Sequence, residues 1–216
     1  MPSSVADFTA NLKEKVIKLY NSTIGKYIAS LFGKPASILF LGIDNAGKTT
    51  LVNKLKNNTN HIFMPTKHST ADTIEIGNLK ARIIDIGGHR AARIAWKDYF
   101  YNVDGIVFLI DVADDARYAE VAESWKTILD LEKEAPILVL VNKIDMLGHT
   151  TQTAEMDTAF KQELQSRTGI DQFRNAKQEV KITYISVIRE DVYKESTPLR
   201  QGFAWLSSII NERSKN

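Results

Sequence analysis

Gly42-Ile43-Asp44-Asn45-Ala46-Gly47-Lys48-Thr49 carries a glycine, four residues and then Gly-Lys-Thr, directly after the apolar run Ile38-Leu39-Phe40-Leu41. Loops of this kind wrap phosphates in backbone N–H groups and hand the anion to the N-terminus of a helix. The motif therefore requires a buried strand before it and a helix after it. Lys48 is placed to reach the outer phosphates, and Thr49 offers a hydroxyl to Mg²⁺.

The rest of the chain supplies that framework. Ile106-Val107-Phe108-Leu109-Ile110 and Ile137-Leu138-Val139-Leu140-Val141 are further short apolar runs, the pattern of parallel strands covered on both faces. Helical periodicity falls between them, near 49–57, 114–133, 153–166 and 199–213. Residues 72–77 and 79–86 alternate apolar and polar across Gly77-Asn78, which predicts an antiparallel hairpin at the sheet edge. Residues 37–216 thus read as one layered α/β domain.

Asn142-Lys143-Ile144-Asp145 ends the third apolar run, where open α/β sheets build ligand sites. A carboxylate at Asp145 can accept hydrogen bonds from the ring N–H and exocyclic amine of guanine. Adenine offers no such pair and would leave the acid unsatisfied, which is strongly disfavoured. Lys143 can lie over the base, and Asn142 can tie this loop to the phosphate loop. The expected base is guanine.

Asp85-Ile86-Gly87-Gly88-His89 closes the hairpin. Asp85 can hold the metal through water, Gly88 lets a backbone N–H approach the γ-phosphate, and His89 can orient an attacking water. Thr66, in Met64-Pro65-Thr66, can close over Mg²⁺ and the γ-phosphate. Ser186-Val187-Ile188 can present a backbone N–H to the guanine oxygen.

The first 36 residues differ in character. They hold five lysines against Asp7 and Glu14, whereas the whole chain carries only +2. Phe8, Leu12, Val16 and Leu19 share one helical face, and Ile24, Tyr27, Ile28 and Leu31 continue after the capping run Asn21-Ser22-Thr23. Two short amphipathic helices are predicted, forming an extension over 1–36. With no cysteine, and with Pro2 where myristoylation needs glycine, no lipid anchor is available. Reversible membrane attachment would fall to those helices. No secretory signal, mitochondrial leader or membrane-spanning run is evident, and a cytoplasmic protein is expected.

The phosphate loop, Pro65-Thr66, Asp85 to His89 and Asn142 to Asp145 together resemble the small Ras-type GTPases of the Arf branch. Within that branch, His89 followed by Ala91-Ala92-Arg93-Ile94-Ala95-Trp96-Lys97-Asp98-Tyr99 is similar to the secretion-associated Ras-related group. Met64 to Thr70, Gly105 to Asp111 and Gly202-Phe203-Ala204-Trp205-Leu206 carry the same likeness. The resemblance implies a three-layer P-loop NTPase, a Ras-like G domain with a mostly parallel sheet.

It also places Asp44, Asn45, Ala46, Gly47, Lys48, Thr49 and Thr50 around phosphates and metal, with Asp44 in the metal set, and Val187 and Ile188 against the base. His89 stands where Ras has its water-orienting glutamine. The implied activity is hydrolysis of GTP to GDP with Mg²⁺, initiating COPII coat assembly for transport from endoplasmic reticulum to Golgi. The implied partners are the inner COPII coat subunits as activator and effector, a membrane-bound exchange factor, and the cytosolic face of the endoplasmic reticulum or Golgi membrane. No nucleic-acid partner is expected.

Two departures are visible. Met1 to Leu12 is less bulky and aromatic than the family's N-terminus, and 147–180 matches poorly. The first arginine of the chain is Arg82, so none precedes Thr66 to serve as an internal arginine finger. Slow intrinsic turnover, on the order of 10⁻⁴ s⁻¹, is expected, with acceleration by a partner's arginine. The alternatives are an Arf-like GTPase of another membrane step and a non-cycling GTP-binding scaffold resembling the signal-recognition-particle receptor β-subunit.

Overall fold

Alternate residues of the apolar runs serve two different cores, which is why those runs are unbroken. The computed structural model describes residues 36–57, 70–76, 79–85, 88, 93–101, 103–147, 158–172, 178–192 and 194–214. Six strands form one sheet in the order β2-β3-β1-β4-β5-β6. They are β1 (Ala36–Leu41), β2 (Thr70–Ile76), β3 (Leu79–Asp85), β4 (Gly105–Asp111), β5 (Ile137–Asn142) and β6 (Val180–Tyr184). Among the described strands only β2 runs antiparallel, paired with β3 from Ile76 opposite Leu79 to Thr70 opposite Asp85. The predicted edge hairpin and parallel interior are both present. The helices expected over residues 1–35, and Met64-Pro65-Thr66, lie outside the described residues.

Among the described residues, four α-helices cover the two faces: α1 (Lys48–Asn57), α2 (Tyr118–Leu131), α3 (Thr158–Thr168) and α4 (Pro198–Arg213). Ile38, Phe40, Val107, Leu109, Leu138 and Leu140 pack with Leu51 of α1 and with Leu199, Phe203 and Leu206 of α4. Their sequence neighbours Leu39, Leu41, Ile106, Phe108, Ile137 and Val139 face Val121, Trp125 and Ile128 of α2 and Leu164 of α3. Strand period two thus sorts each run into two cores, giving three layers. Phe40 stacks on Phe203 at 6.3 Å and Phe108 meets Trp125 at 5.7 Å, one aromatic pair on each face.

Element ends differ slightly from the sequence pattern, for local reasons. β1 begins at Ala36, ahead of the apolar run, because its pairing with β3 extends to Ala81 and Arg82. The long helix expected over 114–133 is a 3₁₀ turn, Asp115–Arg117, followed by α2. Glu132 then leaves the helix with extended backbone, and its Oε1 accepts from the amides of Lys133, Glu134 and Ala135. The helix expected over 153–166 appears as α3, and residues 153–157 lie outside the described set. α4 opens with Thr197 as cap, accepting from the Arg200 amide at 3.3 Å, and with Pro198 in its first turn.

Phe203 is fully buried and joins α4 to β1. Truncation to alanine should cost about 3–5 kcal/mol, seen as a lower urea midpoint at unchanged slope.

Candidate functional site

The C-terminal ends of β1, β4 and β5 feed three loops that meet at one edge of the sheet. After β1 the chain turns through Gly42, Asn45 and Gly47, all with positive φ, and enters α1 at Lys48. The Lys48 side chain folds back over this turn, donating at 2.9 Å to the carbonyls of both Gly42 and Ile43. It is only 5% exposed. A buried ammonium thus sits in a concave loop at a helix N-terminus, where both the charge and the helix end favour an anion. Thr49 and Thr50 follow in the first turn of α1, as the motif requires.

Asn142, the last residue of β5, ties the loops together. Its Nδ2 donates to the Ala46 carbonyl at 2.9 Å, and its Oδ1 accepts from the Val187 amide at 2.9 Å. The side chain is buried, so neither bond is diluted by water. The link to the phosphate loop expected of Asn142 is present, and the same side chain also reaches the 186–188 loop. Gly47 makes room for it: a Cβ there would lie 2.5 Å from Asn142 Nδ2, and the backbone has φ +99.

Lys143 adopts φ +68, uncommon for a residue with a side chain. Its ammonium is held by Asp111 at 2.6 Å. Asp111 is 4% exposed, lies opposite Asn142 in the β4–β5 register, and also accepts from the Ala113 amide. The motif reading missed Asp111. The available signal was an acid ending an apolar run at the same level as Asn142.

Asp145 has a buried Oδ1 with no hydrogen-bond partner, and Ser186 Oγ is likewise buried and unpartnered. The Ile144 amide donates to the Ile185 carbonyl at 3.3 Å, so these two polar atoms belong to loops that are stitched together. An orphaned carboxylate oxygen is costly unless a ligand satisfies it, and the N–H groups of guanine are suitable donors. Ile188, the other expected base neighbour, is 52% exposed.

Asp44 has a partner that the motif does not announce. The resemblance groups it with the metal, but its carboxylate pairs with Arg117 at 2.5 Å. The Arg117 bond holds the Asp44 carboxyl below its ordinary pKa, against a partial desolvation cost. Arg117 also binds Glu120, and Glu120 binds Arg93, whose Nη1 donates to the Gly88 carbonyl at 3.2 Å. This chain of charges joins the phosphate loop to residue 88. Gly88 is packed so closely that a Cβ would lie 2.3 Å from both the Asp44 nitrogen and the Ile43 carbonyl carbon. Asp85 ends β3 opposite Phe40, two residues before Gly42. His89 and Thr66 lie outside the described residues. Among the described residues, no group of three or more acidic or histidine side chains forms a ready-made metal cage.

Glu190, just beyond the base loop, is 2% exposed and neither of its carboxylate oxygens has a hydrogen-bond partner. Burial pushes its pKa up to about 7, although Thr197, the Leu199 amide and the Lys54 charge act in the opposite direction. The folded state therefore holds a proton that the unfolded state has released, and stability falls as pH rises from about 4.5 to 7. Glu190→Gln should match the parent protein near pH 5 and exceed it by roughly 1–3 kcal/mol at pH 8, measured by denaturant titration.

The sequence pattern of the ADP-ribosylation factor family matches residues 24–210. Across 217 aligned residues, 100% of this chain and 98% of the other, the sequence is 48% identical to the small COPII coat GTPase SAR1 of Encephalitozoon cuniculi (strain GB-M1). The crystal structure of the Encephalitozoon cuniculi protein in complex with GDP matches with a TM-score of 0.69, covering 99% of this chain and 96% of that one. The small COPII coat GTPase SAR1 of Giardia intestinalis is 35% identical over 182 residues, 83% of this chain and 92% of that protein.

Proposed function

This chain belongs to the ADP-ribosylation factor family of small GTPases, and on that premise we propose that it is a GTP-hydrolysing switch that recruits the COPII coat for budding from the endoplasmic reticulum. The observation that carries this reading is a set of loops with two chemically distinct ends on one brace. Lys48 and the first turn of α1 suit a phosphate tail, the unpartnered Asp145 oxygen suits a guanine edge, and Asn142 binds both loops. Similarity to small COPII coat GTPases, over the whole chain in one case and 83% of it in another, supports the coat assignment over an Arf-like protein of another membrane step.

Hydrolysis transfers the γ-phosphoryl group to water. The water oxygen bonds to phosphorus, the bond to the β–γ bridging oxygen breaks, and GDP, phosphate and a proton result. Little covalent work falls to the protein, and positioning and charge supply the catalysis. Lys48 and the loop amides neutralise charge on the outer phosphates, Gly88 presents its N–H to the γ-phosphate, and His89 orients the water. Mg²⁺ favours one or two side-chain oxygens alongside water and phosphate, so Thr49 at the start of α1 and Thr66 would hold it directly and Asp85 at the end of β3 through water, and it would offset charge on the β and γ oxygens. Arg93 and Arg117 are both engaged, with Glu120 and Asp44, which fits slow intrinsic turnover and an arginine supplied by an inner-coat partner.

Attachment to the endoplasmic reticulum or Golgi surface is assigned to the N-terminal extension, with release from the membrane to the cytoplasm in the GDP form. No helix among the described residues is long and apolar enough to cross a membrane. A membrane-bound factor would then couple nucleotide exchange to recruitment.

Two experiments test this reading. Asp145→Asn should lower GDP affinity by on the order of 10³-fold and raise affinity for xanthosine diphosphate, whose C2 oxygen suits an amide donor, as read by nucleotide displacement. Flotation with anionic liposomes should require GTP and be lost on deleting residues 1–20. Equal flotation with GDP would contradict a nucleotide-controlled anchor.

A further inference from the structure

Lys54 lies six residues beyond Lys48 on α1 and is only 3% exposed. It donates to the Val187 carbonyl at 2.7 Å and the Ile188 carbonyl at 3.0 Å, in the loop that follows β6. Burial pulls its pKa down, while the charges of Glu190 and Asp191 pull it back up. A buried ammonium needs strong partners to offset lost hydration. Here those partners are two consecutive carbonyls of the base loop.

The geometry fixes more than two oxygens. In a planar trans peptide the C=O and the following N–H point in opposite directions. Holding the carbonyls of Val187 and Ile188 therefore sets the directions of the next two amides as well. One result is visible: the Arg189 amide returns to the Ser186 carbonyl at 3.0 Å, closing the turn. On its other side Val187 is held through its own N–H by Asn142. Asn142 and Lys54 thus grip the same residue from opposite ends, one from β5 and one from α1.

We propose that Lys54 is a positioning residue for guanine recognition, orienting the 186–188 backbone toward the oxygen at C6 of the base. It acts through the loop carbonyls that it holds. This inference rests on the guanine reading given above. It adds that the helix beginning under the phosphates also aligns the base-reading loop, so base selectivity depends on a residue outside every nucleotide motif.

The test pairs a change in the protein with a change in the base. GDP and the 5′-diphosphate of 2-aminopurine riboside, which lacks the C6 oxygen and with it the N1 proton, are bound to the full-length protein, to Lys54→Met and to Lys54→Arg. The parent protein should prefer GDP by on the order of 100-fold. Lys54→Met should lose about 10-fold or more of GDP affinity while its affinity for the analogue changes less than about 2-fold, and Lys54→Arg should restore most of the preference. Equal weakening of both ligands, or no change in either, would overturn the proposal by making Lys54 a packing residue. A parent protein without preference for GDP would instead defeat the guanine reading itself. Lys54→Gln, which keeps one donor, gives the same cycle if the methionine variant does not fold.

Discussion

A single buried amide side chain holds the site together. Asn142 offers one donor and one acceptor group, and it uses them on backbone groups of two loops far apart in the sequence. Neither loop has regular secondary structure to fix it, so their relative position depends on this bridge and on the sheet end from which it projects. The backbone cost of ordering such loops is large, about 1–2 kcal/mol per residue, and buried bonds of this kind help offset it. The glycine of the phosphate motif is part of the same arrangement, since a methyl group at Gly47 would strike the Asn142 amide. Two motifs read separately in the sequence are one steric unit in the molecule.

Much of this was legible before any coordinates. The fold followed from the period of the apolar runs: unbroken runs require cover on both sides, and the observed cores divide Ile38 and Phe40 from Leu39 and Leu41 accordingly. Lys48, Asn142 and Asp145 were legible because their chemistry is tied to fixed spacing. Asp111, Arg117 and Lys54 were not. Each acts on a residue far off in the sequence, and nothing local separates Lys54 from any other lysine on a helix. The Asp44 pairing was hidden for a related reason, because its partner Arg117 is 73 positions away.

The two faces of the sheet divide the labour. On the α1 and α4 side, Phe203 stacks on Phe40 near the end of β1, from which the phosphate loop departs, and the buried Lys54 brings α1 to the base loop. On the α2 side, charge takes over at the rim: Arg117 and Glu120 sit at the start of α2 and connect Asp44 to Arg93. Partly exposed ion pairs contribute little to stability one at a time. Strung between the phosphate loop and residue 88, they define a geometry more than they supply free energy.

The closeness of Gly88 to the phosphate loop leaves no slack between two stretches of backbone. Where a lone carbon atom would overlap the Ile43–Asp44 peptide, no side chain at position 88 fits unless one backbone moves. The Arg93 guanidinium, bonded to the Gly88 carbonyl, would have to be drawn along or released by such a shift. Glycine at this position is thus a condition of the contact itself.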